Sequence, residues 1–379
     1  MKIIKNKFGR YQCFVSKRTL TSLMLGGVIA LYTIILRWPG TLRGADTPTY
    51  LRYFKSFLIF PGTFFDYLIA YPWLASFGYL SMNGIIAQFT SNESFYLYIM
   101  TTTILILMLL AYRLFFSKKE IILFGLSIFM LLTSSSIYFY SLNILRQGLM
   151  TPFLIMSLYY LIHDHQRKSI IYLFIGFIFH ITAILFLPVI LLYPKYKQWN
   201  KPLSGMIIAL VLSIFINKYT ILFSIKLTGV PFLIRKASNY FHKPYFQSSI
   251  FEPNILIKLI IIGSILIALK KVYRLNHDKQ FNHLYLAVCL FFTVILLFFN
   301  LSIIPNRLLL NVSILIPLIF TRSLYSFRRK QIAFGIFCIL SLFYGLLISQ
   351  HPSVKYNLKS KKTAHHTTVN TYLPTTNMV

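Results

Sequence analysis

Three segments of this chain combine an asparagine with a nearby cation where a helix is expected to begin. Asn143 precedes Ile144-Leu145-Arg146, Asn254 follows Pro253 and precedes Lys258, and Asn306 follows Pro305 and precedes Arg307. Each asparagine reads as an N-cap. A cation in the first turns has the wrong sign for the helix dipole, which favours negative charge there by about 0.3–1 kcal/mol. A bound anion removes the conflict, because open N–H groups and a forked guanidinium together suit phosphate. Lys258 reads more simply as a lysine reaching for lipid headgroups. Arg146 has polar neighbours in Ser141, Asn143 and Gln147, which points to a site.

A second constellation runs Arg43-Gly44-Ala45-Asp46-Thr47-Pro48-Thr49-Tyr50-Leu51-Arg52-Tyr53-Phe54. Thr47 before Pro48 resembles a helix cap with proline at the first helical position, and Tyr50 and Phe54 then share a face. Asp46 is either a capping or arginine-paired carboxylate, or a general base or substrate contact. His180 lies deep in an apolar segment. It is either functional, as costly intramembrane ionisable groups tend to be, or a neutral imidazole satisfied at a helix break. His163-Asp164-His165 has the composition of a metal tripod but reads as a solvated turn beside Arg167-Lys168.

The elements that position these residues must lie in a membrane. The 379 residues are 57% hydrophobic and 12% charged, against roughly 45–50% and 25% in soluble domains, which excludes an ordinary soluble enzyme. Lys and Arg number 38 against 7 Asp and Glu, a formal charge of +31; with no soluble basic domain to carry it, anionic lipid and an anionic substrate are the expected partners rather than nucleic acid. Cys13, Cys289 and Cys338 have neither metal-ligand nor disulfide-framework spacing. The expected fold is an all-α polytopic integral membrane protein with about nine to eleven transmembrane helices by the span-length criterion.

A basic N-terminus, 1–19, precedes a first apolar run, Leu20 to Leu36, that reads as a retained helix. The membrane domain spans 20–350, and the polar tail 351–379 reads as disordered. Basic connections at Lys118-Lys119, Arg167-Lys168, Lys195 to Lys201, Lys270 to Arg274 and Arg322 to Lys330 are assigned with the N-terminus to the cytoplasm. The segments 64–90 and 170–193 must then re-enter or cross an even number of times. Re-entrant backbone is tolerated only against protein or a water-filled cavity, so both point toward a site. The loops 38–63 and 224–253 fall outside. Of the seven acids, Glu120, Asp164 and Asp278 fall near the cytoplasmic face and Asp46, Asp66 and Glu252 outside, with Glu93 unplaced.

Arg43-Gly-Ala-Asp46-Thr47-Pro-Thr-Tyr50, then Asn143-Ile-Leu-Arg146-Gln147, then Phe179-His180-Ile-Thr-Ala183 resemble in order the EpsG family of exopolysaccharide polymerases, similar in role to Wzy polymerases of O-antigen and capsule assembly. The resemblance is best from Arg37 to Tyr193; Thr182-Ala183 stand where Ser-Ala is more usual. It implies joining of polyprenyl-diphosphate-linked oligosaccharide repeat units at the outer face of a bacterial cytoplasmic membrane, with release of lipid diphosphate. On that reading Arg146, Arg307 and, more weakly, Arg43 hold the diphosphate, Asp46 or His180 is the base, and Thr47, Tyr50, Asn143 and Gln147 contact substrate. No cofactor or metal is demanded. Membrane lipids, a chain-length regulator and other assembly proteins are the implied partners. A lipid-linked oligosaccharide flippase would also be polytopic and cationic, though no symmetric halves are visible; a membrane acyltransferase is the other alternative.

Overall fold

The computed structural model of the chain describes residues 2–5, 11–14, 27, 29, 31–34, 37, 46–70, 76–199, 201–216, 218–227, 229, 238, 253–275, 278–301 and 303–324. Arg43, most of the loop 224–253, the apolar run 331–349 and the tail 351–379 lie outside them. The described part is helical apart from an antiparallel ribbon of β1 (Lys2–Lys5) and β2 (Tyr11–Phe14) in the basic N-terminus. Isoleucine and tyrosine there favour extended backbone over helix.

The first helices are short. They are α1 (Thr47–Leu58), α2 (Phe64–Ala70) and α3 (Phe77–Ala87), so neither half of 64–90 reaches the roughly 20 residues of a span. A β-carbon at Gly84 would overlap the Phe64 ring, so this glycine permits the close approach of α2 to α3. Helix α4 (Glu93–Arg113) is long and apolar, begun by the Asn92 side chain accepting from Phe95 N at 3.0 Å. Next come α5 (Ile121–Leu132) and α6 (Ser135–Leu142), bent 63° apart at a break. Ser134 caps α6 by accepting from Ile137 N, which stabilises a new start rather than continuation.

Helix α7 (Leu145–Ile162) is mostly buried and packs against α4 and α8 (Gln166–Phe179). Fourteen residues make α8 about 21 Å long, short of the ~30 Å hydrocarbon core. It stops at His180, whose backbone is extended, and a 3₁₀ turn Ile181–Phe186 leads into α9 (Leu187–Trp199). Lys197 Nζ then lies 3.1 Å from Asp164 Oδ2. The two ends of the segment therefore meet, and 170–193 is a helical hairpin that returns to where it began. The chain continues through α10 (Pro202–Ser213), α11 (Lys218–Leu227), α12 (Pro253–Leu275), α13 (Lys279–Leu297) and α14 (Ile303–Ser323). Helix α13 is buried almost throughout, between α10, α12 and α14.

Among the described residues two helices, α4 and α13, are long and apolar enough to cross a membrane, and a third span results if the bent α5–α6 pair counts as one. That is fewer than the nine to eleven read from hydropathy, and the difference has physical sources. The α8–α9 hairpin divides its apolar sequence between helices of 14 and 13 residues, each shorter than a span. A break at Thr133-Ser134 divides another run, α7 and α14 carry Pro152 and Pro317, and the runs at both ends of the membrane domain are largely outside the described residues.

One end of the bundle is held by Arg322. Its guanidinium pairs with Glu120 at 2.7 Å and Asp278 at 3.7 Å, donates to the Phe115 carbonyl and Gln280 Oε1, and lies 5.2 Å from the Phe116 ring centre. Three helical regions distant in sequence thus share one buried cation. Breaking such a pair from one side leaves an uncompensated charge at a cost of about 3–5 kcal/mol. Arg322→Gln should therefore markedly lower the thermal midpoint of the detergent-solubilised protein, with Glu120→Gln doing the same. An unchanged midpoint in both would show that the cluster does not support the fold.

Candidate functional site

The opposite end of the bundle collects the starts of α1, α3, α7 and α14. Asp46 occupies the N-cap position of α1, but its side chain makes no capping bond, and Pro48 sits in the first turn. Thr47, expected as the cap, is instead the first helical residue and donates from Oγ1 to Leu142 O at 3.3 Å, tying α1 to the end of α6. Asn143 likewise does not cap α7. It ends α6, its N–H bonding Phe139 O at 2.8 Å, and Ile144 takes the cap position. Asn254 and Asn306 lie inside the first turns of α12 and α14, not before them. Proline suits a first turn, so Pro253 and Pro305 fall inside the helices ahead of Asn254 and Asn306, whereas Asn143 is taken up in ending α6.

These shifts leave the cations at the expected end. Arg146, in the first turn of α7, donates from Nη1 to Ser76 Oγ at 3.2 Å and lies 5.9 Å from the centre of the Tyr79 ring. Tyr50 places its hydroxyl beside the same guanidinium and its ring edge-on to Tyr79 at 5.7 Å. Arg146 Nε is buried with no hydrogen-bond partner. Arg307, half-buried on α14, joins Arg146 in acting on Asp46. Burial raises the Asp46 carboxyl above its ordinary value, and the charges of Arg307 and then Arg146 oppose the rise without cancelling it. Asp46 is exposed at the start of α1, so water reaches one side of it.

A second tier fixes these groups. Gln147, 1% exposed, donates from Nε2 to the Arg307 carbonyl at 3.0 Å, while its Oε1 has no partner. Expected to touch substrate, it joins α7 to α14 and positions Arg307. Beneath it Thr151 and Tyr140 both bond Asn311 Oδ1. Tyr79 and Tyr96 share a hydroxyl contact of 3.0 Å, and Tyr96 donates to Asn83 Oδ1 at 2.8 Å. Phe54 stacks on Tyr96 at 4.2 Å, so the expected Tyr50–Phe54 face of α1 is buried against this group.

His180 has a different neighbourhood. Thr182 N–H donates to its Nδ1 at 3.2 Å, with Thr182 Oγ1 2.8 Å from the same nitrogen. An accepting Nδ1 places the proton of the neutral ring on Nε2. Thr182 in turn contacts Met150, one turn below Arg146 on α7. Sequence reasoning did not assign Ser76, Tyr79 or Asn311, whose types are common in any membrane helix. Arg37, read only as the end of the first helix, donates from Nε to Thr101 Oγ1 at 2.8 Å and from Nη2 to Ser141 O, and so holds the turn that carries Arg146. Arg43 lies outside the described residues.

Two guanidinium groups and one carboxylate of raised pKa, backed by buried aromatic rings, make a site able to hold an anion and accept a proton beside it. Among the described residues no three His, Cys, Asp or Glu side chains gather as a metal site. The model of the EpsG family matches residues 23–358. No curated protein and no solved structure matches the chain.

The carboxyl assignment can be checked without any substrate. In infrared titration of wild type against Asp46→Asn, the Asp46 band should titrate above the ordinary carboxylate range. Arg307→Gln, which removes a lowering charge, should move the midpoint higher still. A midpoint unaffected by that substitution would separate Asp46 from Arg307.

Proposed function

This chain belongs to the EpsG family, a helical membrane protein of exopolysaccharide biosynthesis, and from that premise we propose that it is the polymerase that joins lipid-linked oligosaccharide repeat units at the outer face of the cytoplasmic membrane. The observation that supports this reading is the placement of Asp46 within the field of both Arg307 and Arg146. In the reaction a hydroxyl at the non-reducing end of an incoming unit attacks C1 of the sugar that links the growing chain to its polyprenyl diphosphate. The new C1–O bond forms as the bond from C1 to the diphosphate oxygen breaks. The hydroxyl proton passes to Asp46, or to His180 if the base comes from the hairpin, and the bonding electrons leave with the diphosphate.

Each group has a physical reason for its part. A carboxylate with a raised pKa is a better proton acceptor than an ordinary one. Arg146 and Arg307 neutralise charge developing on the leaving diphosphate, as paired phosphate oxygens suit a planar guanidinium; Arg43 is a third candidate for that role. Tyr50 and Tyr79 are buried and hold Arg146 in place, one through its hydroxyl and the other through its ring face. Thr47 and Gln147, both buried, fix the backbone around the anion, and half-buried Asn143 is the candidate among the three to touch a saccharide.

Mass spectrometry of lipid-linked glycans in cells lacking the protein tests the reading. Single repeat units should accumulate on the outer leaflet while long chains disappear. Units trapped on the cytoplasmic leaflet would make it a flippase, and unchanged chain length would remove the polymerase assignment. Arg146→Lys should lose most polymer while still inserting, because a point charge does not reproduce the fork. Near-normal polymer from it would take Arg146 out of the site.

A further inference from the structure

Arg37 is buried, 8% exposed, and a buried guanidinium needs an anion or a full set of acceptors. Two of its nitrogens are satisfied by Thr101 and Ser141, whereas Nη1 has no hydrogen-bond partner. The chain has few carboxylates to offer. Asp46 acts with Arg307 and Arg146, Asp66 is bonded by Thr63, Glu93 pairs with Lys55 at 2.5 Å, Asp164 pairs with Lys197, and Glu120 and Asp278 pair with Arg322. Only Glu252 is outside the described residues. The charged or ionisable neighbours acting on Arg37 are the hydroxyls of Tyr96, Tyr138 and Tyr50.

A groove of about 460 Å³ leads to this arginine. Its walls are Ile34, Phe95 and Tyr98, and Asn92 and Ser94 stand at its rim. Ile34 and Phe95 are outward-facing apolar groups, 40% and 50% exposed. The rim is the first turn of α4, a 21-residue helix whose N-terminal N–H groups favour negative charge. An apolar trough on the outer surface of a membrane helix pair, ending at a buried cation beside a helix start, matches an isoprenoid chain that carries a phosphate group at its head. Glu93 does not spoil the match, since Lys55 neutralises it.

We propose that the Arg37 groove is a second lipid-phosphate site, distinct from the Arg146 and Arg307 site, which holds the polyprenyl diphosphate of one of the two lipid-linked substrates. This rests on the polymerase reading, in which both reacting saccharides are carried on lipid diphosphate and two such heads must be held at once. The connection of Arg37 to Ser141 O gives the second head a route to the first. Occupying the groove bears on the α6–α7 turn whose far side presents Arg146.

Native mass spectrometry of the full chain in detergent with farnesyl diphosphate tests it. Wild type should bind two molecules. Arg146→Gln with Arg307→Gln should lose one, and Arg37→Gln the other. Ser94→Trp, which fills the groove without removing any Arg37 bond, should lose the same molecule as Arg37→Gln and so guards against simple misfolding of the arginine variant. Inorganic diphosphate alone should not occupy the Arg37 site, because the groove holds a chain as well as a head; equal occupancy by inorganic diphosphate would show an anion site and overturn the lipid assignment. Two molecules retained in both Arg37→Gln and Ser94→Trp would overturn the second site and leave the polymerase reading standing. No binding even by wild type would instead count against the polymerase reading itself.

Discussion

In a low-dielectric interior every guanidinium must meet an anion or a dense set of carbonyls, and this chain has seven carboxylates for 38 basic side chains. Several of the described acids consequently join elements of the bundle. Arg322 gathers Glu120 and Asp278 at one end, and Lys197 reaches back to Asp164 to close the hairpin. At the other end Asp46 is left facing two arginines. Two arginines against one carboxylate leave that cluster with a net positive charge.

Backbone breaks decide where the remaining polar groups go. The turn between α6 and α7 offers the carbonyls of Ser141 and Leu142 to Arg37 and Thr47, so one irregular stretch anchors both the first helix and α1. His180 performs a similar task inside the hairpin. It ends α8 and starts the 3₁₀ turn with its own ring as the acceptor. Unpaired backbone is costly at membrane depth, and at both places a side chain meets that cost.

The anion-binding end is therefore a junction of helix starts rather than a pocket on one helix. Gln147 holds the Arg307 carbonyl from α7, and Ser76 and Tyr79 on α3 approach Arg146 from the other side. A shift of α14 against α7 would move Arg307 relative to Arg146, which would suit the proposed gripping and release of a diphosphate.

The amino-acid sequence alone determined that this is a helical membrane protein, and it placed Arg146 in the first turn of a helix. Composition and charge bias follow from the solvent a chain must occupy, so they are legible residue by residue. The family, too, was legible in the short runs around Asp46, Arg146 and His180. Caps were misread at Thr47 and Asn143 because the turn between neighbouring helices, not local propensity, sets where each helix begins. Only the tertiary structure revealed the role of Arg37, the union of Arg322 with Glu120 and Asp278, and the use of Gln147 to hold Arg307. Those contacts join residues 44 to 202 positions apart, and at such separations partner choice is fixed by helix packing and by the scarcity of acids, neither of which a local pattern carries.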